Sequence, residues 1–267
     1  MWNICTDGKT NSGPLRVEGG VDSQGMDTAE WVEAALRFPA DAMQREVLRG
    51  GKRRGLLNCT RQWGKSTITA AKAIHQAYHF AESLTLVVSP GSRQSGEFLR
   101  KAAGFLRKLG MKVKGDGDNE ISLELPNRSR IVGLPGSEAK VRGFSAVSLL
   151  LVDEAARVSD DLYLAVRPML AVSDGALWLM STPFGKRGFF YEAWANGGPE
   201  WVRIRAAAPE CPRIGRKFLE EERATMGDRW FRQEYLCEFE EAVSGVFGRE
   251  LVERAISEDV APLEIDS

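Results

Sequence analysis

Cysteine and histidine are scarce in this 267-residue chain, which contains four cysteines and two histidines. The cysteines are far apart, at Cys5, Cys59, Cys211 and Cys237. No Cys-x-x-Cys pair or Cys/His cluster occurs, which favours a reducing compartment and argues against a structural metal site. His75 and His79 have a metal-capable helical spacing, but with no third ligand near them in sequence we expect a surface or packing role for both.

Long apolar runs are also missing. The longest, such as residues 147–152, have the length of a buried strand, whereas a membrane-spanning helix needs about 20 apolar residues. No basic start followed by an apolar segment is present, so we expect no secretory signal. With 43% hydrophobic residues, the chain can form a sizeable core, either one large α/β domain or a domain with an appendage.

An excess of basic charge is absent too. Lysine and arginine total 36 against 37 aspartate and glutamate, a net charge of −1 that excludes a generally basic nucleic-acid coat. Basic residues nevertheless cluster at 52–54 and between 100 and 114. Such clusters could contact a DNA backbone, although each one alone is more often a solvated helix face.

Helical and strand patterns alternate along most of the sequence. Strands are predicted at 55–58, 84–88, 147–153, 176–181 and 201–206. Helices are predicted at 28–38, 42–48, 68–74, 93–109, 160–170, 216–224 and 228–236. Residues 120–125 and 129–134 flank a Pro-Asn turn, which predicts a hairpin. This alternation predicts a doubly wound α/β domain with a mostly parallel sheet flanked by helices, over residues 27–240. Residues 1–26 are expected to form a flexible arm.

A candidate phosphate-binding loop lies between the first strand and the next helix. It spans Cys59–Thr67, with the sequence CTRQWGKST. Its backbone N–H groups would face phosphates, Lys65 would reach the β- and γ-phosphates, and the Ser66 hydroxyl would bind Mg²⁺. Candidate nucleotide ligands are therefore Thr60, Arg61, Gln62, Trp63, Gly64, Lys65, Ser66 and Thr67. Cys59 stands where this motif usually has glycine, and the alternative is a solvated lysine at a helix start.

Two carboxylates follow the apolar strand at 147–153. Asp153 and Glu154 would lie at the carboxyl edge of the sheet, where α/β proteins bind ligands. With a phosphate loop in the same chain, Asp153 would hold Mg²⁺ and Glu154 would orient and deprotonate the attacking water. The alternative is an acidic helix cap after a core strand.

A pair of hydroxyls, Ser181 and Thr182, follows the strand at 176–181 and precedes Pro183. If this strand neighbours the acidic strand, the pair can sense whether a γ-phosphate is present, as in additional-strand ATPases. The alternative is a simple strand-ending turn, in which the proline blocks extension.

The order of these motifs resembles the N-terminal ATPase domain of phage terminase large subunits. The matching segments are Pro39 with Gln44, RQWGKST at 61–67, SPGSRQS at 89–95, KVRGFS at 140–145, LLLVDEAA at 149–156, MSTPFGKRGFFYEAW at 180–194 and WFRQEYLCEFEE at 230–241. The resemblance runs from about Trp31 to about Phe247. It implies an adenine-reading role for Gln44, a phosphate-loop arginine at Arg61, an arginine finger at Arg142 and a coupling motif at Ser181-Thr182.

The resemblance further implies a P-loop NTPase fold of the additional-strand, RecA/terminase-like type and a function as a Mg²⁺–ATP-driven motor. Such a motor moves double-stranded DNA into a procapsid in the host cytoplasm. Its expected partners are the portal protein, the small terminase subunit and further copies of itself in a ring, with no membrane. Residues 241–267 resemble the linker toward the family's nuclease domain. Asp259, Glu264 and Asp266 lie in this tail, so we expect no nuclease activity in this chain.

Two other interpretations stay open from the sequence. Another additional-strand DNA translocase or a helicase would share the phosphate loop and the Asp-Glu strand, although a helicase needs a second RecA-like domain. A non-catalytic prophage remnant or split subunit would act as an interaction module, but it would not be expected to retain Lys65, Ser66, Asp153, Glu154 and Arg142 together.

Overall fold

A computed structural model describes residues 26–49, 53–119, 121–136 and 143–241. The predicted N-terminal arm up to residue 25, Arg142, and the predicted linker from residue 242 onward lie outside the described residues. Among the described helices, none combines the length and the apolar character that a bilayer crossing requires.

A seven-stranded sheet forms the centre of the described structure. Its strands are β1 (Arg54–Cys59), β2 (Leu84–Ser89), β3 (Ser122–Glu124), β4 (Arg130–Pro135), β5 (Leu149–Asp153), β6 (Ala176–Ser181) and β7 (Trp201–Ala206). Their order is β3-β4-β2-β5-β6-β1-β7. Every pairing is parallel except that of β3 with β4. The predicted mostly parallel sheet and its hairpin are confirmed.

Helices lie on both faces of this sheet, and the last two described helices pack against each other in a separate small apolar cluster. The helices are α1 (Thr28–Ala35), α2 (Ala42–Arg49), α3 (Lys65–His79), α4 (Ser92–Lys108), α5 (Asp160–Val166), α6 (Gly188–Asn196), α7 (Arg216–Met226) and α8 (Asp228–Leu236). Leu57 packs into an apolar cluster with α1, α3 and α4, whereas its neighbour Leu56 packs into a second cluster with α5 and α6. Because successive strand residues point to opposite faces, β1 contributes to two cores, as a doubly wound domain requires.

Several helices differ from prediction. The first helix ends at Ala35 instead of residue 38, before Arg37 adopts a left-handed φ of 48°. The helix predicted at 160–170 is α-helical only to Val166 and continues as a 3₁₀ turn at Arg167–Leu170, since Pro168 has no N–H to extend the α-helical pattern. Helix α6 was not predicted, because its sequence GFFYEAWAN is apolar almost all round and carries little periodic signal.

Gly55 of β1 provides the space for the largest residue of the adjacent strand. It lies opposite Trp178 of β6, and a Cβ at position 55 would come within 2.3 Å of the indole. Lys72 of α3 lies over the same indole, 4.8 Å from the ring centroid. Its ammonium donates to the Val47 carbonyl at 3.1 Å and to the Leu48 carbonyl at 3.4 Å. Lys72 thereby joins the carboxyl end of α2 to α3 and to the sheet.

Candidate nucleotide-binding site

The predicted phosphate loop connects the carboxyl end of β1 to the start of α3. The helix begins at Lys65, three residues earlier than predicted, so Lys65, Ser66 and Thr67 form its first turn. Gly64 has a φ of +100°, a conformation that glycine adopts without steric cost, and Gln62 is also left-handed. The Thr67 N–H donates to the Gly64 carbonyl at 3.0 Å. The N–H groups of Lys65 and Ser66 precede the first helical hydrogen bond, which makes this end of the helix a natural anion site.

The Trp63 side chain anchors the phosphate loop to the apolar core. Trp63 is 2% exposed and belongs to the apolar cluster that contains α1 and α3. Its carbonyl accepts hydrogen bonds from Gln44 Nε2 at 3.1 Å and from the Arg213 guanidinium at 2.5 Å. Gln44 itself is fixed by a reciprocal cap with Asp41, in which each side chain accepts from the other's backbone N–H. The structure therefore places Gln44 against the loop, with its amide bracing it.

Lys65 is buried and directed along the loop. Its ammonium donates to the carbonyls of Cys59 at 2.9 Å and Thr60 at 3.2 Å and to the Thr182 hydroxyl at 3.3 Å. All three acceptors are neutral, so an anionic phosphate oxygen would be a stronger partner for this cation. The position excludes the alternative of a solvated lysine at a helix start.

Asp153 ends β5 beside the first turn of α3. It is 5% exposed, and the Ser66 hydroxyl hydrogen-bonds to its carboxylate. Burial, and next the charge of Glu154, raise the pKa of Asp153, while the Ser66 bond and the Lys65 charge oppose that shift. A bound divalent cation would relieve this burial penalty. Two oxygen ligands at hydrogen-bond distance from each other are the donors that Mg²⁺ prefers, so the residues fit the predicted metal.

Glu154 lies at a strained point of the backbone. Its φ of 50° is left-handed, and its own N–H donates to the Asp153 carboxylate at 3.0 Å. The following 3₁₀ turn, Ala155–Arg157, places residues three apart on the same side. Arg157 consequently reaches back to the Glu154 carboxylate at 3.3 Å. Glu154 occupies the N-cap position of this turn, but its side chain makes no capping hydrogen bond, which disfavours the alternative interpretation of the Asp-Glu pair as a helix cap.

The hydroxyl pair ends β6, the strand inserted between β5 and β1. Ser181 accepts from the backbone N–H of Ala156 at 3.2 Å, and Thr182 donates to the carbonyl of Cys59 at 3.3 Å. The pair therefore links the segment after the acidic strand to the start of the phosphate loop. The predicted adjacency of this strand to the acidic strand is confirmed.

Arg61 lies outside the interior of the loop and forms an ion pair with a residue of α8. Its guanidinium contacts the Glu234 carboxylate at 2.8 Å, and this hydrogen bond raises the pKa of Arg61. Thr60 donates to the Glu234 carbonyl at 3.0 Å. Glu234 also contacts Arg157 at 3.5 Å. Sequence reasoning assigned no role to Glu234, Arg157 or Arg213; Glu234 was visible only as part of the quoted segment WFRQEYLCEFEE.

Two adjoining cavities open along these residues. The larger, about 540 Å³, has the size of a small-molecule site. It is lined by Phe38, Gln44, Arg61, Gln62, Trp63, Gly64, Lys65, Ser66, Thr67, Lys101, Glu154 and Arg213. The smaller, about 300 Å³, shares Ser66, Lys101 and Glu154 with it and adds Asp153 and part of α4. Lys101, a cation from α4 that the motifs did not predict, thus lies where the two cavities meet.

The structure brings most predicted site residues together: the loop residues, Gln44, Asp153, Glu154, Ser181 and Thr182. Arg142 lies outside the described residues, so its role stays a prediction. The described part of the chain contains no group of three or more His, Cys, Asp or Glu side chains arranged for a metal. His75 and His79 pack with Trp31 in an aromatic cluster, at ring distances of 5.2 and 4.9 Å, so of the expected surface or packing role the structure shows packing.

A family profile matches most of the chain. The profile for the terminase large subunit, T4likevirus-type, N-terminal, matches residues 56–254. The large terminase subunit of Escherichia phage T5 is 28% identical over 58% of this chain, and that of Thermus virus P23-45 is 24% identical over 79%. These matches span 36% and 51% of the relatives' own lengths.

Solved structures show the same fold. The large terminase ATPase domain of Thermus phage P74-26 superimposes with a TM-score of 0.69 at 22% identity, covering 80% of this chain and 99% of that one. The large terminase of a thermophilic bacteriophage, solved in complex with ADP, gives a TM-score of 0.63 at 14% identity and covers 76% of this chain and 54% of that one. The sheet and its flanking helices are therefore those of a large-terminase ATPase domain.

Proposed function

Because the chain belongs to the family of T4likevirus-type terminase large subunit N-terminal domains, we propose that it binds Mg²⁺–ATP in the two adjoining cavities and hydrolyses it. The observation that carries this proposal is the convergence of Lys65, Ser66, Asp153 and Glu154 around one connected space. Gln44 and Arg213 line the larger cavity but not the smaller one, and both contact the Trp63 carbonyl, so they suit the nucleoside part of the ligand.

In this proposal the phosphates lie against the first turn of α3. Lys65 exchanges its bonds to the Cys59 and Thr60 carbonyls for phosphate oxygens, and Arg61 leaves Glu234 to add a second positive charge. Ser66 and Asp153 would hold Mg²⁺, which when bound neutralises charge on the β- and γ-phosphates. Arg142 is proposed to supply a further cation, in cis or from a neighbouring copy.

Glu154 is proposed as the general base. Its carboxylate accepts a proton from a water whose oxygen attacks the γ-phosphorus, while the bond from that phosphorus to the β–γ bridging oxygen breaks. Such proton transfer contributes about 10²- to 10⁴-fold to a rate. Ser181 and Thr182 contact both the segment after Glu154 and the start of the phosphate loop, which suits them to transmit the loss of the γ-phosphate.

Separating nucleotide binding from turnover tests the site. Lys65→Ala should lose both ATPγS binding and hydrolysis, whereas Glu154→Gln should keep ATPγS affinity and lose at least about 100-fold in kcat. Glu124→Gln removes a carboxylate from β3, at the far edge of the sheet, and serves as the matched control. Turnover in Glu154→Gln equal to that of this control would remove Glu154 from the base role.

Family membership also supports a proposal about the complete DNA-packaging motor. The domain would drive double-stranded DNA into a procapsid in the host cytoplasm, together with the portal protein, the small terminase subunit and further copies of itself in a ring. ATP turnover should then rise on addition of double-stranded DNA and with protein concentration. Mixing Arg142→Ala with Glu154→Gln should restore part of the turnover if Arg142 acts across subunits. Turnover that responds to neither DNA nor concentration would contradict the motor proposal.

A further inference from the structure

One lysine lies at the junction of the two cavities. Three residues line both of them, Ser66, Lys101 and Glu154. Gln44 and Arg213, the proposed contacts of the nucleoside, line only the larger cavity. In the proposed binding mode the γ-phosphate therefore lies at this junction, between the serine that would hold Mg²⁺ and the proposed general base. Lys101 brings a cation from α4 to the same place.

Helix α4 gives this lysine a rigid base. Phe98 of α4 is 1% exposed, belongs to the apolar core and lines the smaller cavity. Residues three apart lie on the same side of a helix, so Lys101 projects from the side of α4 that Phe98 fixes against the core. Its flexible four-carbon side chain can then place the ammonium within the junction without any movement of the helix.

The Lys101 ammonium differs in its contacts from the other cations that line the larger cavity. Among the residues that the structure describes, it makes no hydrogen bond and no ion pair. Lys65, Arg61 and Arg213, in contrast, each donate hydrogen bonds to other groups of the protein. An anionic group of the ligand would therefore gain a hydrogen bond from Lys101 without breaking one.

Lys101 also offsets the acidic charge at the junction. Burial and the charge of Glu154 raise the pKa of Asp153, and the positive charge of Lys101 is among the causes that lower it. The field of this ammonium therefore reaches the carboxylate that would hold the metal. A phosphate that enters beside two carboxylates is repelled by them, and a cation on the facing helix reduces this repulsion.

We propose that Lys101 is a catalytic residue, which binds the γ-phosphate from α4 while Lys65 binds it from the phosphate loop. The inference rests on the proposed ATPase function. Water attacks the γ-phosphorus as its proton passes to Glu154, the bond to the β–γ bridging oxygen breaks, and ADP leaves with the electron pair of that bond. The Lys101 ammonium keeps its protons and donates a hydrogen bond to a γ-phosphate oxygen throughout, so it stabilises the negative charge on the transferred group.

A selective change in affinity tests this contact. Lys65 reaches both the β- and γ-phosphates, whereas Lys101 contacts only the γ-phosphate, which ADP lacks. In Lys101→Met, the dissociation constant of ATPγS measured with Mg²⁺ should rise about tenfold, and that of ADP should stay within about twofold of the wild-type value. The kcat without DNA should fall about 100-fold. Lys101→Arg, which keeps the charge, should recover part of both losses.

Arg107→Met is the matched control. Arg107 is an exposed cation further along α4, and it lines neither of the two cavities that the described residues form. Its replacement removes one positive charge from the same helix, so both dissociation constants and kcat should match those of the wild type. Thermal melting and ADP affinity verify the folding of each variant.

The outcomes separate this inference from the proposed function. If the wild type binds neither nucleotide, or turns over no ATP with or without double-stranded DNA, the proposed function fails and the inference with it. If the wild type turns over ATP but Lys101→Met behaves as Arg107→Met does, or loses ATPγS and ADP affinity alike, the inference is wrong and the ATPase proposal stands.

Lys101 could instead contact the DNA backbone, and the same variants detect this. A loss confined to the DNA-stimulated rate of Lys101→Met would assign the lysine to DNA and would overturn the inference. Selective loss of ATPγS affinity together with the fall in kcat supports the γ-phosphate contact, and either loss alone overturns it.

Discussion

The Lys65 ammonium lies 3.3 Å from the hydroxyl oxygen of Thr182, a residue 117 positions further along the chain. The same hydroxyl donates to the Cys59 carbonyl, which Lys65 also contacts. The lysine of the phosphate loop and the end of β6 thus form one hydrogen-bonded group. Any movement of Lys65 toward a phosphate changes the hydrogen bonding of Thr182 directly.

Thr182→Val tests this link. Valine keeps the shape of threonine but leaves Lys65 and the Cys59 carbonyl without the hydroxyl, so we expect kcat for ATP to fall by about tenfold while ATPγS affinity changes little. Thr182→Ser restores the hydroxyl and should recover most of the rate. A wild-type rate in the valine variant, together with a loss in the serine variant, would show that the methyl group, and not the hydrogen bond, is what matters.

Gln44→Met distinguishes base recognition from loop bracing. If Gln44 reads adenine, as the family resemblance implies, ATP affinity should fall by about tenfold and GTP affinity should not change. Arg213→Met removes the other donor to the Trp63 carbonyl and is the matched control for bracing. Parallel losses of ATP and GTP affinity in both variants would assign Gln44 to bracing alone.

Gly55→Ala should destabilise the fold. The added methyl group would lie 2.3 Å from the Trp178 indole, which is fully buried between the sheet and α3, and such overpacking costs about 1–3 kcal/mol. In the same chain, Gly104→Ala meets no atom within 4 Å in the middle of α4 and should stabilise by about 0.5–1 kcal/mol. Urea unfolding of both variants measures the difference. Partial rescue of Gly55→Ala by Trp178→Phe would identify the clash as its cause.

Lys72 predicts a pH-dependent stability. Desolvation lowers its pKa from 10.5 to about 8, so between these values the unfolded chain binds more protons than the folded one, and stability rises with pH. The free energy of unfolding of the wild type, minus that of Lys72→Met, should therefore increase from pH 8 to 10.5 by up to about 3 kcal/mol. A flat difference across this range would show that the ammonium is effectively solvated.

The strands and the main site were predictable because their signals are local. Apolar runs specified β2, β5 and β6, and the Gly-Lys-Ser and Asp-Glu sequences lie where each strand ends, which is where a parallel sheet brings ligands together. The insertion of β6 between β5 and β1 was anticipated only through the hydroxyl pair at its end. A helix end that depends on a single residue, such as the change to a 3₁₀ turn after Val166, follows from local backbone hydrogen bonding. The spacing of apolar residues in the sequence does not predict it.

The ion pairs of Glu234 with Arg61 and Arg157 were not predictable, because these are common residue types and only their distances in the fold give them meaning. Glu234 and Arg157 are 77 positions apart, and nothing in either segment indicates a contact. Arg213 similarly lies 150 positions from the Trp63 carbonyl that it contacts. Contacts of this kind depend on how α8 and the segment before α7 pack against the loop, which is a property of the whole fold.

The buried Trp63 side chain makes the phosphate loop inseparable from the core beneath it. The Trp63 indole belongs to the apolar cluster that also contains residues of α1, α2 and α3, and this cluster is its socket. Gln44 and Arg213 donate hydrogen bonds to the Trp63 carbonyl. The loop is therefore not a portable module. Transplanting CTRQWGKST into another strand–helix unit should transfer phosphate affinity only if the socket for the indole is transplanted with it. Substitutions that enlarge or fill that socket should alter nucleotide exchange, although they change no ligand-binding residue.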